Sequence, residues 1–462
     1  MSRCLAIAFA LLTFAGCANH AKQSITLYES GDYAGAARAA DSGLAAHPDD
    51  DGLWAMRVRA AIALGDADAV DKAYAGYAAH REDLDKPLLR DLVTATLGQA
   101  LASPSAKLKL AAIQAIEDIE IEGLADQVAE RMGDEDDKVA AAAAVAVLHG
   151  GYAQAGQVAS DSLKADDPEA RRIAVDGVGK KVGKLAAADL EKAAADVDPR
   201  VRRAALYWLG HIKDVDAVAL FAQRLHDEDD GVRAAAARAM AAVGIGNLEG
   251  FGKTAVADKA LAVRLAGIEL LVAAHAESAL VALASDADPM VAIQAAIAVG
   301  DKHDLALAAV ARALASPEWT IRAGTANLLV RALGKANGVA AARKLTEDKE
   351  LGVRLAAARV LAHNGDPATA ATVFAAALAT DDADDHAAQA AADLAALGDP
   401  RGLARLTQLV RDPKRSPEQR AAAAAAHRTA HHVTSGLVAA LADSNALVRV
   451  QAAAAIGALA KN

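Results

Sequence analysis

His427 and His431 stand four residues apart, with His432 beside the second, a spacing that puts two imidazoles on one face of a helix where they could share a metal ion. A stable site wants three or four ligands, and no acidic residue stands between them, so the pair reads as two solvated side chains. The run Asp381-Asp382-Ala383-Asp384-Asp385-His386 gathers carboxylates of the kind a hard cation takes. It lacks the glycine and closing glutamate of a helix-loop-helix calcium loop, and it falls in an inter-helix turn, where Asp residues cap helices. Asp49-Asp50-Asp51 follows Pro48 in a turn of the same kind. A glycine-rich phosphate loop and a Gly-x-Ser-x-Gly elbow are both missing from the sequence. No residue set reads as catalytic, no cofactor or metal is expected, and the chain is not expected to be an enzyme.

The elements that would have to position such residues are set by a recurring phrase: an acidic turn, Val-Arg, then an alanine-rich helix. It reads Asp198-Pro199-Arg200-Val201-Arg202, Asp229-Asp230-Gly231-Val232-Arg233, Asp258 through Val263-Arg264, and later Gly352-Val353-Arg354 and Leu447-Val448-Arg449. With the Val as register mark, the phrase runs through Leu108, Val139, Ala170, Val201, Val232, Val263, Val291, Ile321, Val353, His386, Gln419 and Val448. The early copies are 31 residues apart and the later ones vary by a few. A helical period of this length specifies stacked helix pairs, each burying its apolar face only against its neighbours. First helices are expected at stretches such as Val215 to Leu225 and Leu305 to Leu314, and second helices at Val201 to Ile212 and Val232 to Val243.

Composition agrees. Hydrophobic residues make up 54% of the chain but aromatics only 3%, so the core must be built from Ala, Leu and Val, whose small side chains let helices approach closely. The net charge of -11 opposes binding a polyanion, and no nucleic-acid partner is expected.

The acidic turn and the Arg have a structural reading. Asp or Asp-Pro opens a helix, since the carboxylate accepts first-turn amide hydrogens and Pro fits the first helical position. Arg202, Arg233, Arg264, Arg322, Arg354 and Arg449 can then reach the Asp of an adjacent repeat, giving a ladder of charge-assisted hydrogen bonds. The alternative for these residues is anion binding.

The array from about residue 91 to 462 resembles the HEAT family, in particular the short HEAT-like repeats of phycobilisome lyases. The resemblance implies an all-α fold, a right-handed α-solenoid of stacked antiparallel helix pairs, with about twelve repeats over 91–462 and second helices lining the concave side. Side chains two and six places after each Val then face a partner: Arg203 and Tyr207, Ala234 and Arg238, Leu265 and Glu269, Ile293 and Ile297, Ala323 and Asn327, Leu355 and Arg359. The middle of that row is apolar and its flanks basic, as a protein-binding surface requires. If the facing is off by one position, the same residues are core. Trp319 and Leu351 sit in turns and extend the patch, whereas Trp208 falls on the Ala204, Ala205 and Leu209 face and reads as core. Some HEAT-like proteins hold two irons with repeated His-Glu dipeptides, but no His in this chain precedes a Glu.

Residues 23–90 follow another period. Gly31-Asp32-Tyr33 and Gly65-Asp66-Ala67 are 34 residues apart, with Ala36, Pro48 and Trp54 at offsets that resemble the tetratricopeptide repeat. Val70 and Glu82 depart from that pattern in the second copy. These helices either cap the array or form a separate peptide-binding module.

The first residues give an address. Met1-Ser2-Arg3 is a short positive stretch, Leu5 to Phe14 is apolar, and small residues lead to Cys17, as in a secretory signal. Phe14-Ala15-Gly16-Cys17 resembles the lipobox of bacterial lipoproteins, with Phe14 in place of the usual leucine. The resemblance implies cleavage after residue 16, lipidation of Cys17, a tether over 17–22, and, with Ala18 following, sorting to the outer membrane. Cys4 leaves with the signal, so the mature chain carries no free thiol and no disulfide. The expected function is a lipid-anchored scaffold of the bacterial envelope, facing the periplasm and binding an envelope protein, with no small-molecule substrate. The alternative is a lyase-type accessory acting on a prosthetic group or small molecule.

Overall fold

A computed structural model describes residues 20–81, 83–300, 303–380 and 386–461. The expected signal sequence, Cys17 and the Asp381–Asp385 run lie outside them. All regular structure among the described residues is helical, and the helices stack as antiparallel pairs. The chain forms two compact units: residues 125–376 make one, and the flanking segments, up to Leu124 and from Ala377, make the other.

In the central unit the second helices follow the register closely: Asp137–Ala146, Pro168–Lys181, Pro199–His211, Asp230–Val243, Leu261–Ala273, Pro289–Val299, Trp319–Ala326 and Leu351–Asn364. Each packs on the next to make a continuous layer. Behind it lie first helices such as Val218–Arg224 and His303–Leu314, the former shorter than expected because residues 212–217 form the inter-repeat loop. One first helix, Leu329–Leu345, kinks at Gly334, where φ is 76° and ψ 166°. Between the layers Val201, Leu206, Leu209, Phe221, Val232 and Met240 are buried among alanines.

Both ends of the second helix have a local chemical cause. At the start, Asp198, Asp229 and Asp288 cap first-turn amides. At the end, the residue twelve after the register mark is left-handed in repeat after repeat. Gly244 takes this position at φ 77°, but Glu120, Lys213, His275 and His431 do so with side chains, at φ 51–56°. A left-handed residue closes a helix by turning the chain away, and only glycine does so without steric cost. Lys213 and His275 are both exposed, so nothing is lost by removing their side chains. Lys213→Gly and His275→Gly are each expected to raise the unfolding free energy by about 1 kcal/mol, read from the denaturant midpoint.

In the flanking unit the helix 20–29 and Tyr33–Ala46, Asp51–Leu64 and Ala67–Ala79 form successive hairpins. The two Gly-Asp turns are built alike, with Asp32 accepting from the Gly35 N–H at 2.7 Å and Asp66 from the Ala69 N–H at 2.9 Å. Trp54 donates its indole N–H to Pro48 O at 2.7 Å, tying the turn to the following helix. Lys86–Leu101 and Ala106–Ile119 come next, and the last helix of the chain, Ala446–Lys461, packs along both. Gly457 is what lets it approach, since a Cβ there would stand 2.4 Å from Ile119 Cδ1. Lys461 pairs with Glu120 at 3.0 Å, and Arg411 pairs with Asp71 at 2.6 Å and with Asp68. Packing therefore continues across residue 90, where Arg59 also pairs with Asp91 at 2.8 Å.

Candidate interaction surface

The second helices are held in register by the arginine ladder. Arg233 donates from Nε and Nη2 to both oxygens of Asp258, at 2.8 and 2.9 Å. Its Nη1 donates to Asp227 O and Glu228 O, at 2.9 and 3.1 Å. One guanidinium thus clamps the turn of its own repeat and the carboxylate of the next. Asp258 also accepts the Ala260 N–H at 2.8 Å, which shapes its own turn. Arg202 to Asp227, Arg322 to Asp348 and Arg264 to Asp288 repeat the link, the last to the capping Asp because that repeat is shorter. Arg354 and Arg449 hold the carbonyls of their own turns. Arg171 and Arg420, which follow Ala170 and Gln419, do the same work, bound to Asp196 and Asp443. The Val-Arg phrase hid them, although their register position alone identifies them. At Val291 the register Arg is replaced by Ala292, and Arg312 of the next helix donates to Asp286 O and Ala284 O instead.

These bonds shift the carboxylates. Hydrogen bonds from Arg233 and Arg322 hold Asp258 and Asp348 below the ordinary range, against the opposing effect of burial. At Asp196 and Asp227 burial is the larger influence and favours protonation, yet the bonds from Arg171 and Arg202, added to backbone N–H donors, carry both carboxyls below the ordinary value.

With the helices fixed, the row six places after the register mark faces solvent: Tyr207, Arg238 and Glu269 are exposed and Ile297 is half-buried. Arg238 bonds Glu269 at 3.1 Å across adjacent repeats. The row two places after the mark differs. Arg203 is exposed and Leu265 half-buried, but Ile293 is fully buried, and Ala234 and Leu355 are buried with it. The expectation that Ile293 faces a partner is therefore corrected. Positions two and six lie about 40° apart around a helix, and the nearer one turns under the neighbouring helix of the layer.

Around Tyr207 the surface is aromatic. Tyr207 is 59% exposed, stacks on His211 with centroids 6.1 Å apart, and meets Trp208 edge-on at 5.1 Å. Trp208, half-buried, lies over Gly179 and donates its indole N–H to Asp176 at 3.0 Å. Asp176 is itself bonded to Arg172. The aromatic group is thus tied to the preceding repeat. Trp319 is 43% exposed at the start of its helix, against Gly352 of the next.

His427 is not a solvated residue. It is fully buried, with its Nδ1–H donating to Ala423 O at 2.9 Å and its Nε2 accepting from the Thr434 hydroxyl at 3.0 Å. Thr434 accepts in turn from the Leu437 N–H at 3.1 Å, so each group in the chain of bonds has one role. The carbonyl partner fixes the proton on Nδ1. His431 is exposed and serves as the left-handed end of the helix Pro417–Ala430. Burial, outweighing the Ala423 hydrogen bond, pushes the His427 pKa down from 6.5 to about 4. A depressed folded-state value means that the stability supplied by neutral His427 is complete above pH 6.5 and is lost as pH falls toward 4. Wild type is expected to lose about 3 kcal/mol more than His427→Gln over that window, measured by urea denaturation at each pH.

Comparison with known proteins places part of this layer. A family described as HEAT repeats matches residues 156–241 and 187–271. No curated protein matches the chain. Among solved structures, the complex of CpcE and CpcF of phycocyanin lyase from Nostoc sp. PCC7120 is similar at TM-score 0.33 and 21% identity, covering 52% of this chain and 94% of that one. Kap121p is similar at TM-score 0.33 and 14% identity, over 80% of this chain and 48% of that one. Human deoxyhypusine hydroxylase in complex with glycerol is similar at TM-score 0.25 and 18% identity, over 66% of this chain and 98% of that one. The chain is an all-α protein of stacked helix pairs, and residues 156–271, which include Tyr207 and the best-formed part of the ladder, are the part that matches the HEAT-repeat family.

Proposed function

We propose that this chain is a non-catalytic scaffold that binds another protein through the solvent-facing row of its second helices, with Tyr207 as the anchor. The supporting observation is that Tyr207 stands 59% exposed yet is ordered by His211 and Trp208 on a helix itself tied to the preceding repeat through Trp208 and Asp176 and to the next through Arg202 and Asp227. An aromatic side chain held in place before binding loses little entropy on contact, and Tyr is among the residue types that dominate interface energetics. Arg203 and Arg238 beside it supply a polar rim, and Leu265, Ile297 and Trp319 continue the surface. Acylation at Cys17 would tether the scaffold to the outer membrane on its periplasmic side, and its partner would be an envelope protein.

The test is a photocrosslinker at position 207 in the native host, with position 253 on a first helix as the control and Cys17→Ser as the test of the anchor. One envelope protein captured from 207 but not from 253, with affinity for the purified chain reduced at least ~10-fold by Tyr207→Ala at unchanged melting temperature, supports the reading. Equal capture from both positions, or a bound small molecule in place of a protein, overturns it. Release of Cys17→Ser from the membrane fraction supports the anchor, and an unchanged distribution overturns it.

A further inference from the structure

Three consecutive inter-repeat loops, the first containing the short 3-10 turn Gly183–Ala186, each turn one large apolar side chain into solvent: Leu185 is 91% exposed, Val215 55% and Ile245 46%. They follow the second helices Pro168–Lys181, Pro199–His211 and Asp230–Val243 in turn. Single exposed aliphatic residues are ordinary, but the same loop occupied in three neighbouring repeats makes a row. The loops are contiguous. Glu191, on the helix Ala187–Ala193 that follows the first loop, stands against Asp214 and Asp216, which flank Val215. Gly246, beside Ile245, lies close to Val218 at the end of the second loop, where a Cβ would be 3.6 Å from Val218 Cγ1.

The spacing and charge of this edge select what fits it. Packed helices stand about 8–10 Å apart, so successive loops repeat at about that distance. Every seventh residue of a helix recurs at about 10.5 Å. Around the middle loop the carboxylates of Glu191, Asp214 and Asp216 crowd together. Burial and then the two aspartates raise the Glu191 pKa, and Asp214 Oδ2 is buried with no hydrogen-bond donor. Lys184 and Lys213 lie on the same loops, and Lys192 is taken up by Asp189. The chain as a whole carries -11, which works against an anionic membrane surface.

We propose that this loop edge docks a cationic amphipathic helix of a protein partner. Apolar side chains at every seventh residue of that helix seat on Leu185, Val215 and Ile245, and its Lys or Arg residues meet Glu191, Asp214 and Asp216. The surface is separate from the second-helix row around Tyr207, and the inference does not depend on that row binding anything.

The probe is a synthetic helical peptide of about 21 residues with Leu at every seventh position flanked by Lys, titrated into the intact chain and followed by fluorescence anisotropy. Leu185→Ser/Val215→Ser/Ile245→Ser is expected to weaken binding at least ~10-fold, and Asp214→Asn/Asp216→Asn to weaken it and flatten its salt dependence. Leu185 lies in the short 3-10 turn Gly183–Ala186 and the other four positions in loops, and circular dichroism confirms that each variant stays helical. Unchanged binding by the triple variant, or equal binding of a scrambled peptide of the same composition, overturns the proposal. So does a dimer of the intact chain that the triple variant abolishes, or binding to anionic vesicles that depends on the three apolar residues, since either gives the edge another occupant.

Discussion

Arg233→Met is expected to lower the unfolding free energy by about 3–5 kcal/mol, the cost of stranding the partner of a buried ion pair. The side chains of Arg233 and Asp258 are only 9% and 17% exposed, and they are joined by two parallel hydrogen bonds. The substitution leaves the Asp258 carboxylate desolvated, with the Ala260 N–H still donating to it but no cation beside it, and leaves Asp227 O and Glu228 O without their clamp. Adding Asp258→Asn to Arg233→Met is expected to recover part of the loss, because a neutral amide still accepts from Ala260 N–H and needs no cation. An exposed pair sets the scale for comparison. Arg238 and Glu269 are 49% and 51% exposed, and Arg238→Met is expected to cost at most about 1 kcal/mol. Urea denaturation of the four proteins decides the matter, and equal losses for Arg233→Met and Arg238→Met would show that the ladder contributes nothing special. Acid provides a second reading. Asp196, Asp227, Asp258 and Asp348 all have depressed folded-state values, so their contribution is present above about pH 4, near the ordinary carboxylate value of 3.8, and is lost below it. Arg233→Met is therefore expected to show a shallower fall in stability below pH 4 than the parent chain.

The ladder also shows which parts of the structure could be read from residue order. Asp-Pro, Val-Arg and the 31-residue period are local or recur at fixed offsets, so the acidic turns, the helix starts and the links from Arg202, Arg233, Arg264 and Arg322 were all accessible. Arg171 and Arg420 follow a different residue at the register mark, and a search for the phrase passes over what a count of positions finds. The left-handed helix ends were hidden for a related reason: Glu120, Lys213, His275 and His431 share a position without sharing a residue type. The facing of the second helices was legible only in part. Alanine lies on every side of them, so the hydrophobic pattern cannot distinguish a residue such as Ile293, tucked under the next helix, from Ile297 one turn later at the rim. His427 illustrates a further limit. Its spacing to His431 invites a surface pairing, but the carbonyl and hydroxyl that satisfy it come from positions no motif specifies.

The packing of the chain's two ends has no sequence signal at all, and it carries the second large prediction. In a linear array each repeat touches only its neighbours, so removing the last one frays the repeat before it and leaves the first untouched. Here the helix Ala446–Lys461 packs along Lys86–Leu101 and Ala106–Ile119, and Ser435–Ala439 packs against Ala67–Ala79. Val93, Ile119 and Gly457 meet at this contact, and Lys461 closes it onto Glu120. A chain ending at Asn445 is therefore expected to lose amide-exchange protection in residues 86–119, more than 300 positions away, while residues 125–376 keep theirs. Gly457→Leu makes the same test without deletion, since its side chain must displace Ile119. Protection lost only in residues 400–445 would mean that the two ends are not joined in solution. Residues 86–119 bury their apolar side chains partly against a helix more than 300 positions further along, so this segment cannot complete its core until that helix is available. A contact across such a sequence separation forms slowly, because the loop it closes must be ordered before the apolar burial rewards it. Refolding followed by exchange labelling is accordingly expected to protect residues 125–376 first and residues 86–119 together with 446–461 in a later, common phase.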